Sequence, residues 1–496
     1  MIQTLSQNWC KDRLYTTMVW CWYATVITSF WGSTVISVSI PAIGALFPFR
    51  IFLPATAVLY LIWAIRTREF QWGELSFAEK VTYLLAAIMV VYGAASLPRA
   101  IVFSHTFTKL FNLCLDMAFF LLFLRLCRYP EIRRTTIRIC LVMLAVLLAL
   151  GTYEAIFGGI WNHKYDVRKR FRFFNEIYQF PVVFSHNTND YASTIGFLFA
   201  ILLLWKLNPS RKWDRKDIWS IILAGIFSYF VLMAASGRLV LAGFYCVLLG
   251  MVFCLWIGRK KGRILITVLL LVGLLGIEFA NRYTYLMPQI QVYVEAVTQK
   301  AEPSPDGEPA PPPSIDFTRP NSETLTEQFL TKDEETGETT IRDDASGGVR
   351  LRLLLHAGQC FLESWGLGVG LGNTEMLARD RMVTGSEQIV WNIHCFVARI
   401  IADYGIFVLI PLILIGLSLL KSACKVVWVG IRMKNRERLG YGVLFLFVLM
   451  VYPFISTASS DAQDILSMWI YLGFVVLEAD QRQNQLQEQA AAEQSL

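Results

Sequence analysis

The 496-residue chain is 55% hydrophobic, with 34 Phe and 15 Trp, and only 17% of it is charged; an ordinary soluble domain carries roughly 25%. Its mean hydropathy is positive, so a soluble globular domain is excluded and an all-α polytopic membrane protein is expected, with no nucleic-acid partner. The net charge of +7 matters less than where the basic residues lie.

Apolar windows of about 20 residues, each able to cross a hydrocarbon core about 30 Å thick, recur along the chain. Twelve are expected, near 18–40, 46–65, 80–97, 110–127, 137–157, 188–205, 218–235, 239–257, 264–281, 394–418, 440–457 and 465–478. The N-terminus is polar and the first run is too long for the apolar core of a signal peptide, so no cleaved signal is expected. With the N-terminus cytoplasmic, the short loops on that side hold Lys11/Arg13, Arg66/Arg68, Arg125–Arg138, Lys206–Lys216, Arg259–Arg263 and Lys421–Arg438. The long segment 282–390 then lies outside, with 17 Asp and Glu against 9 Lys and Arg. Short basic loops inside and one acidic loop outside follow the positive-inside rule, and both termini come out cytoplasmic.

The expected layout is spans 1–9 within 1–281, a large external loop over 282–393, spans 10–12 within 394–478, and a polar cytoplasmic tail over 479–496. Seven of the 17 prolines fall within 303–320, and 321–346 is polar and acidic. A disordered insertion over 301–346 is therefore expected. There is no internal repeat. The ten cysteines form no CxxC pair and mostly sit inside apolar windows, reading as buried small residues rather than a disulfide framework or metal cage.

Taken along the chain, five places could carry chemistry. HKYDVRKRFRF (163–173) is external yet holds Lys164, Arg168, Lys169, Arg170 and Arg172; it is a headgroup-binding stretch or a basic collar for an acidic ligand. Arg238, in ASGRLVLAGF, is the only charged residue between Ile218 and Gly258. It reads as a snorkelling interface anchor or as the cation of a polar pocket opened by Ser236 and Gly237. Arg350, Arg352 and His356 open the helix after the insertion, with Arg352 and His356 on one face; they form a solvated face or a guanidinium clamp on phosphate oxygens. GLGVGLG (366–372) fits neither GxGxxG nor GxxxxGK[ST] and follows a helix, so it is no nucleotide loop; alternate glycines instead let a backbone approach closely. His394, in WNIHCFVARIIADYG, stands at the mouth of the next span as a structural residue or a base, with Asp403, Asp461 and Asp464 as weaker alternatives. No HExxH, zinc-type spacing or nucleophile elbow occurs, so metal-independent chemistry without a cofactor is expected.

Four stretches together resemble the O-antigen ligase and O-antigen polymerase superfamily of membrane glycosyltransferases. SHNTNDYAS (185–193) resembles its N-x-N-D-x-A signature. SGRLVLAG (236–243) resembles its Ser-Arg-Gly element, with Gly237 where Ser usually stands and Leu239 where Gly does. VRLRLLLHAGQCFLESWGLGVGLG (349–372) resembles the loop helix whose leading Arg precedes a GxG by 18 residues, the spacing of Arg350 to Gly368. WNIHCFVARIIADYG (391–405) resembles its His-Asn element, with Cys395 where Asn is usual. The match runs over about 185–420, in order and spacing, and the Pro-rich insertion departs from it.

The resemblance implies transfer of a glycan from a polyprenyl diphosphate carrier to an acceptor hydroxyl at the outer face of a bacterial inner membrane. Arg238 and Arg350 would hold the diphosphate, assisted by Arg352 and by Arg168, Arg170 and Arg172. Asn189, in the first signature, would contact substrate, and His394 would activate the acceptor. Donor and acceptor are then a lipid-linked oligosaccharide and a lipid or glycan, in contact with membrane lipids. A ligase is favoured slightly over a repeat-unit polymerase of the same superfamily. A twelve-span transporter is the non-enzymatic rival; it would want charges along a path inside the spans, whereas Arg50, Asp116, Glu278, Arg399 and Asp403 stand near span ends or singly.

Overall fold

The computed structural model describes residues 12–31, 37–40, 44–69, 72–158, 170–173, 176–185, 188–209, 214–235, 237–258, 262, 264–265, 267–281, 330–332, 339–341, 346–383, 392–393, 395–456 and 466–494. Helices α1 (Arg13–Thr28), α2 (Pro48–Thr67), α3 (Phe77–Ser96), α4 (Phe103–Leu126) and α5 (Pro130–Phe157) come first. They are followed by α6 (Thr188–Lys206), α7 (Arg215–Ala234), α8 (Arg238–Ile257) and the shorter apolar α9 (Thr267–Asn281). After the insertion come α10 (Ser346–Glu363), α11 (Asn373–Asp380), α12 (Phe396–Tyr404), α13 (Ile406–Arg432), α14 (Arg436–Ser456) and α15 (Leu466–Gln494). Three two-stranded antiparallel hairpins join them, β1–β2 (Val38–Ile40, Gly44–Leu46), β3–β4 (Arg170–Phe173, Glu176–Gln179) and β5–β6 (Leu330–Lys332, Thr339–Ile341).

Nine described helices, α2–α8, α13 and α14, are long and apolar enough to cross a membrane. The protein is a helical, membrane-embedded, polytopic one. Local chemistry sets the helix starts. Asp12 accepts from Leu14 N at 3.0 Å, Pro48 and Pro130 occupy first-turn positions where a missing N–H costs nothing, and Ser76 with Glu79 forms a full capping box.

Helix α6 is the buried axis. Of its apolar window, 78% is covered, and it packs against α5, α7, α8, α14 and α15. By contrast only 28% of the α13 window is covered, which places α13 at the periphery. Where apolar helices have lipid as their alternative solvent, small residues let them approach. A Cβ added to Gly440 of α14 would lie 2.4 Å from the Cys254 carbonyl oxygen of α8, and one added to Gly250 of α8 would lie 2.5 Å from Phe447.

Polar contacts gather at the two ends of the bundle. At one end Arg66 meets Asp12 at 3.8 Å, Arg128 meets Glu79 at 3.6 Å, Tyr129 donates to Glu69, and Arg133 donates to Gln481 at 2.6 Å. Consecutive antiparallel helices put the C-termini of α3, α5 and α7 and the N-termini of α4, α6, α8 and α13 at the other end.

The expected span at 394–418 is corrected. The chain breaks at Gly405, φ +67, into the short α12 and the long α13. The first of these packs with α10 rather than continuing the span. The reason is steric: a Cβ on Gly405 would stand 2.2 Å from the Gly366 carbonyl oxygen, so another strand of backbone occupies the inside of the bend. The expected insertion 301–346 lies outside the described residues except for the β5–β6 hairpin and the start of α10.

Gly440→Ala is expected to force α14 away from α8, an overpacking cost of about 1–3 kcal/mol. A lowered melting temperature in detergent, with Gly416→Ala (open space around its Cβ position) as the unaffected control, measures it.

Candidate functional site

The glycines of GLGVGLG do what their alternation allows. Gly366, Gly368, Gly370 and Gly372 have φ of +76, +87, +100 and +73, a region closed to most L-residues. The loop they form runs along the end of α12. Val369 N donates to Ala402 O at 3.0 Å, Gly370 N to Asp403 O at 2.9 Å, and Ile406 N returns to Gly366 O at 2.8 Å. These bonds occupy carbonyls that a helix terminus otherwise leaves without partners. The same loop is held from below by the bundle: Tyr92 donates its hydroxyl to Leu367 O at 2.7 Å, Leu371 N donates to Ser96 Oγ at 3.2 Å, and Ile101 N donates to Asn373 Oδ1 at 3.1 Å.

Just past the loop lies a buried charge cluster. Glu375 of α11 faces Arg399 Nη1 at 3.2 Å, His105 Nε2 at 3.1 Å and Lys109 Nζ at 3.7 Å. Asp403 accepts from Gly372 N at 3.2 Å, Thr374 N at 3.3 Å and Thr374 Oγ1 at 2.5 Å, and its other neighbour is Arg399 Nε at 3.9 Å. Asp403 therefore caps the start of α11, where an anion is favoured. Glu375, Arg399 and Asp403 are each no more than 2% exposed. Two carboxylates against Arg399 and Lys109 leave the cluster formally balanced, which is what makes burying it tolerable. Arg399 and Asp403, which the sequence presents as single charges, are thus members of one network. Arg50 is likewise engaged, donating to Asn112 Oδ1 at 2.7 Å and to Ala45 O at 2.8 Å.

His356 turns inward, away from any phosphate-clamp role. It is 3% exposed, and its Nε2 donates to the Thr374 carbonyl at 3.1 Å. Burial holds its imidazole below the ordinary value, which favours the uncharged ring. Cys360, 3.4 Å from the same ring, has its thiol pushed up to about 11 by burial and is a packed thiol rather than a nucleophile. Arg352 is half-buried one turn before His356.

Arg238 occupies the first turn of α8 and is exposed. The preceding Gly237 is buried, and a Cβ on it would meet Ala192 at 3.0 Å, so the N-termini of α6 and α8 abut. Asn189 and Asp190 lie half-buried on the first turn of α6. The approach to that turn is fixed by Glu154, whose Oε2 accepts from Val182 N at 3.0 Å and Val183 N at 2.7 Å. Two converging helix N-termini and a guanidinium make this rim suited to an anion.

The remaining candidates are placed less fully. Arg350 is the fifth residue of α10, at the start of its second turn, and Arg170 and Arg172 lie on β3 in register with Gln179 and Ile177. His394 and Arg168 fall outside the described residues, as do Ser236, Asp461 and Asp464. The neighbour of His394, Ile393, joins Leu353, Ala357, Cys360, Ala378 and Ala402 in one small core, with Cys395 packed against it. The chain on both sides of His394 is thereby tied to α10. Among the described residues no group of three or more His, Cys, Asp or Glu is arranged to hold a metal ion. No family model and no curated protein matches the chain.

Sequence reasoning missed Glu375, His105, Lys109 and Glu154. The i,i+4 spacings of Arg399 with Asp403 and of His105 with Lys109 were visible; the carboxylate that joins them was not.

Arg399→Met is expected to strand two buried carboxylates and cost about 3–5 kcal/mol. Hydrogen exchange over α10–α12 would show lost protection, with partial recovery on adding Glu375→Gln. A second expectation concerns pH. Since folding depresses the His356 value, stability is full above the unfolded value of about 6.5 and declines as pH falls through the folded one. Protection over α10 and α11, taken relative to the intrinsic exchange rate at each pH, should fall between about pH 7 and pH 5, and His356→Gln should flatten that response.

Proposed function

We propose that the protein is a metal-independent, inverting membrane glycosyltransferase of the O-antigen ligase type, moving a glycan from a polyprenyl diphosphate to an acceptor hydroxyl. The observation that carries this reading is Arg238, exposed on the first turn of α8 where the N-termini of α6 and α8 abut. A guanidinium at paired helix N-termini suits a diphosphate whose charge grows as the glycosidic bond breaks. The resemblance of 185–193, 236–243, 349–372 and 391–405 to the superfamily's motifs points the same way. In the proposed reaction the acceptor oxygen attacks the anomeric carbon and loses its proton to His394. The bond to the diphosphate breaks with its electron pair on the leaving oxygen, beside Arg238 and Arg350.

On this reading α1, α9 and α15 also cross the membrane, giving twelve spans with both termini cytoplasmic, and the site faces outward from the bacterial inner membrane. Arg352, Asn189 and the basic residues Arg168, Arg170 and Arg172 assist in binding the lipid-linked donor. Repeat-unit polymerisation uses the same donor chemistry with a carrier-linked acceptor.

The test is the purified full-length protein with a polyprenyl-diphosphate-linked glycan, with and without a lipid-core acceptor, followed by gel. A shifted band that needs the acceptor identifies a ligase, and a ladder from the donor alone a polymerase. Arg238→Ala is expected to lower the rate by about 10²–10³-fold, with Arg238→Lys intermediate. No product from the wild type, or an unchanged rate in Arg238→Ala, overturns the proposal.

A further inference from the structure

Helix α10 has three faces rather than two. Leu353, His356, Ala357 and Cys360 are buried against α11 and α12. At 100° per residue, Arg352, Gln359 and Glu363 fall together on one flank. This flank is wet: Gln359 and Glu363 are exposed and hydrogen-bonded at 2.7 Å, and Glu363 pairs with exposed Arg381 at 2.7 Å. The third face is apolar and open, with Leu351, Leu355 and Leu362 at 56%, 64% and 74% exposed, and Trp365 just beyond the helix end at 92%. A helix with one side on protein and the other on water needs only an apolar and a polar face. This one divides its outer surface into a polar flank and an apolar flank.

The loop after this flank leads to a helix long and apolar enough to cross a membrane. Leu367, 53% exposed, offers its carbonyl to Tyr92, and the Tyr92 ring lies 5.8 Å from that of Phe407. Phe407 begins the outward stripe of α13, with Ile410 and Leu417 50% and 58% exposed, on a helix apolar enough to cross a membrane. The C-terminal end of α10 is thus linked through Leu367 and Tyr92 to the exposed apolar stripe of α13.

We propose that α10 lies in the external headgroup–acyl boundary of the bilayer, with the Leu351–Leu355–Leu362–Trp365 flank inserted among phospholipid chains and the Gln359–Glu363 flank facing water. The arrangement has the composition of an interfacial amphipathic helix, with its tryptophan where indoles anchor at the membrane surface. The glycine loop and charge cluster would then fix a membrane-seated platform to the bundle, holding Arg350 and Arg352 at headgroup depth. The inference stands whether or not the protein transfers glycans.

Full-length protein in phospholipid nanodiscs, carrying Leu355→p-benzoylphenylalanine or Leu362→p-benzoylphenylalanine, would be irradiated and examined by mass spectrometry. Glu363→p-benzoylphenylalanine, about 80° and 100° around the helix from 355 and 362, serves as the control on the wet flank. The proposal expects lipid adducts at 355 and 362 at least about tenfold above those at 363. Equal or absent lipid adducts at the two leucine positions overturn it. So do protein–protein adducts in their place, which would make the flank a contact with a second copy.

Discussion

One close approach of two backbones organises one end of this protein. The loop 366–372 lies so near the junction of α12 and α13 that a single added carbon at Gly368 or Gly405 would fall 2.5 or 2.2 Å from a main-chain oxygen. At that separation only hydrogen is tolerated. The contact turns what would be one long helix into the short α12 and the long apolar α13. It also delivers α11 to the place where Asp403 can cap it. The positions of α10, α11 and the chain flanking His394 all follow from that crossing.

The charges around the crossing link three helices. Buried ion pairs add little over an apolar replacement of the same shape, but an arrangement that separates one partner leaves a charge without compensation. Glu375 draws on α12 through Arg399 and on α4 through His105 and Lys109. Any sliding of α11 and α12 over the bundle would break that set. A parallel device operates on α15, where Arg482 and Tyr441 both donate to Glu478, at 2.8 and 2.7 Å, tying α15 to α14. Charge is thus used mainly at helix ends, while the bundle interior also holds a few buried polar groups, such as Asp116 in the middle of α4 and the Thr25–Thr56 pair.

Several residues carried more meaning in the chain than they could show alone. The four alternating glycines were legible as a close-approach loop because phosphate-loop spacing was absent and glycine alone fits such backbones; what they approach was not. His356 and Arg352 share a helical face by spacing, yet the face splits. One turn of helix separates a half-buried guanidinium from an imidazole committed to Thr374, and only the position of α11 decides that. Arg399 and Asp403 read as isolated charges because Glu375 is far away in the chain. Arg238 was conspicuous for the opposite reason, since a lone guanidinium between two apolar runs stands out without any tertiary information.

The sequence by itself determined the solvent of this protein, its helical class and most of its span positions, because hydropathy over about 20 residues is a local property set by bilayer thickness. The caps at Asp12, Ser76 and Pro130 use only neighbouring residues, yet hydropathy windows place the helix starts several residues later. The tertiary structure alone decided where the helix near residue 400 breaks, which carboxylate neutralises Arg399, and that α6 is the buried axis. Those outcomes depend on groups distant in the chain meeting across a crossing that glycine permits. Periodicity carries no record of such a meeting.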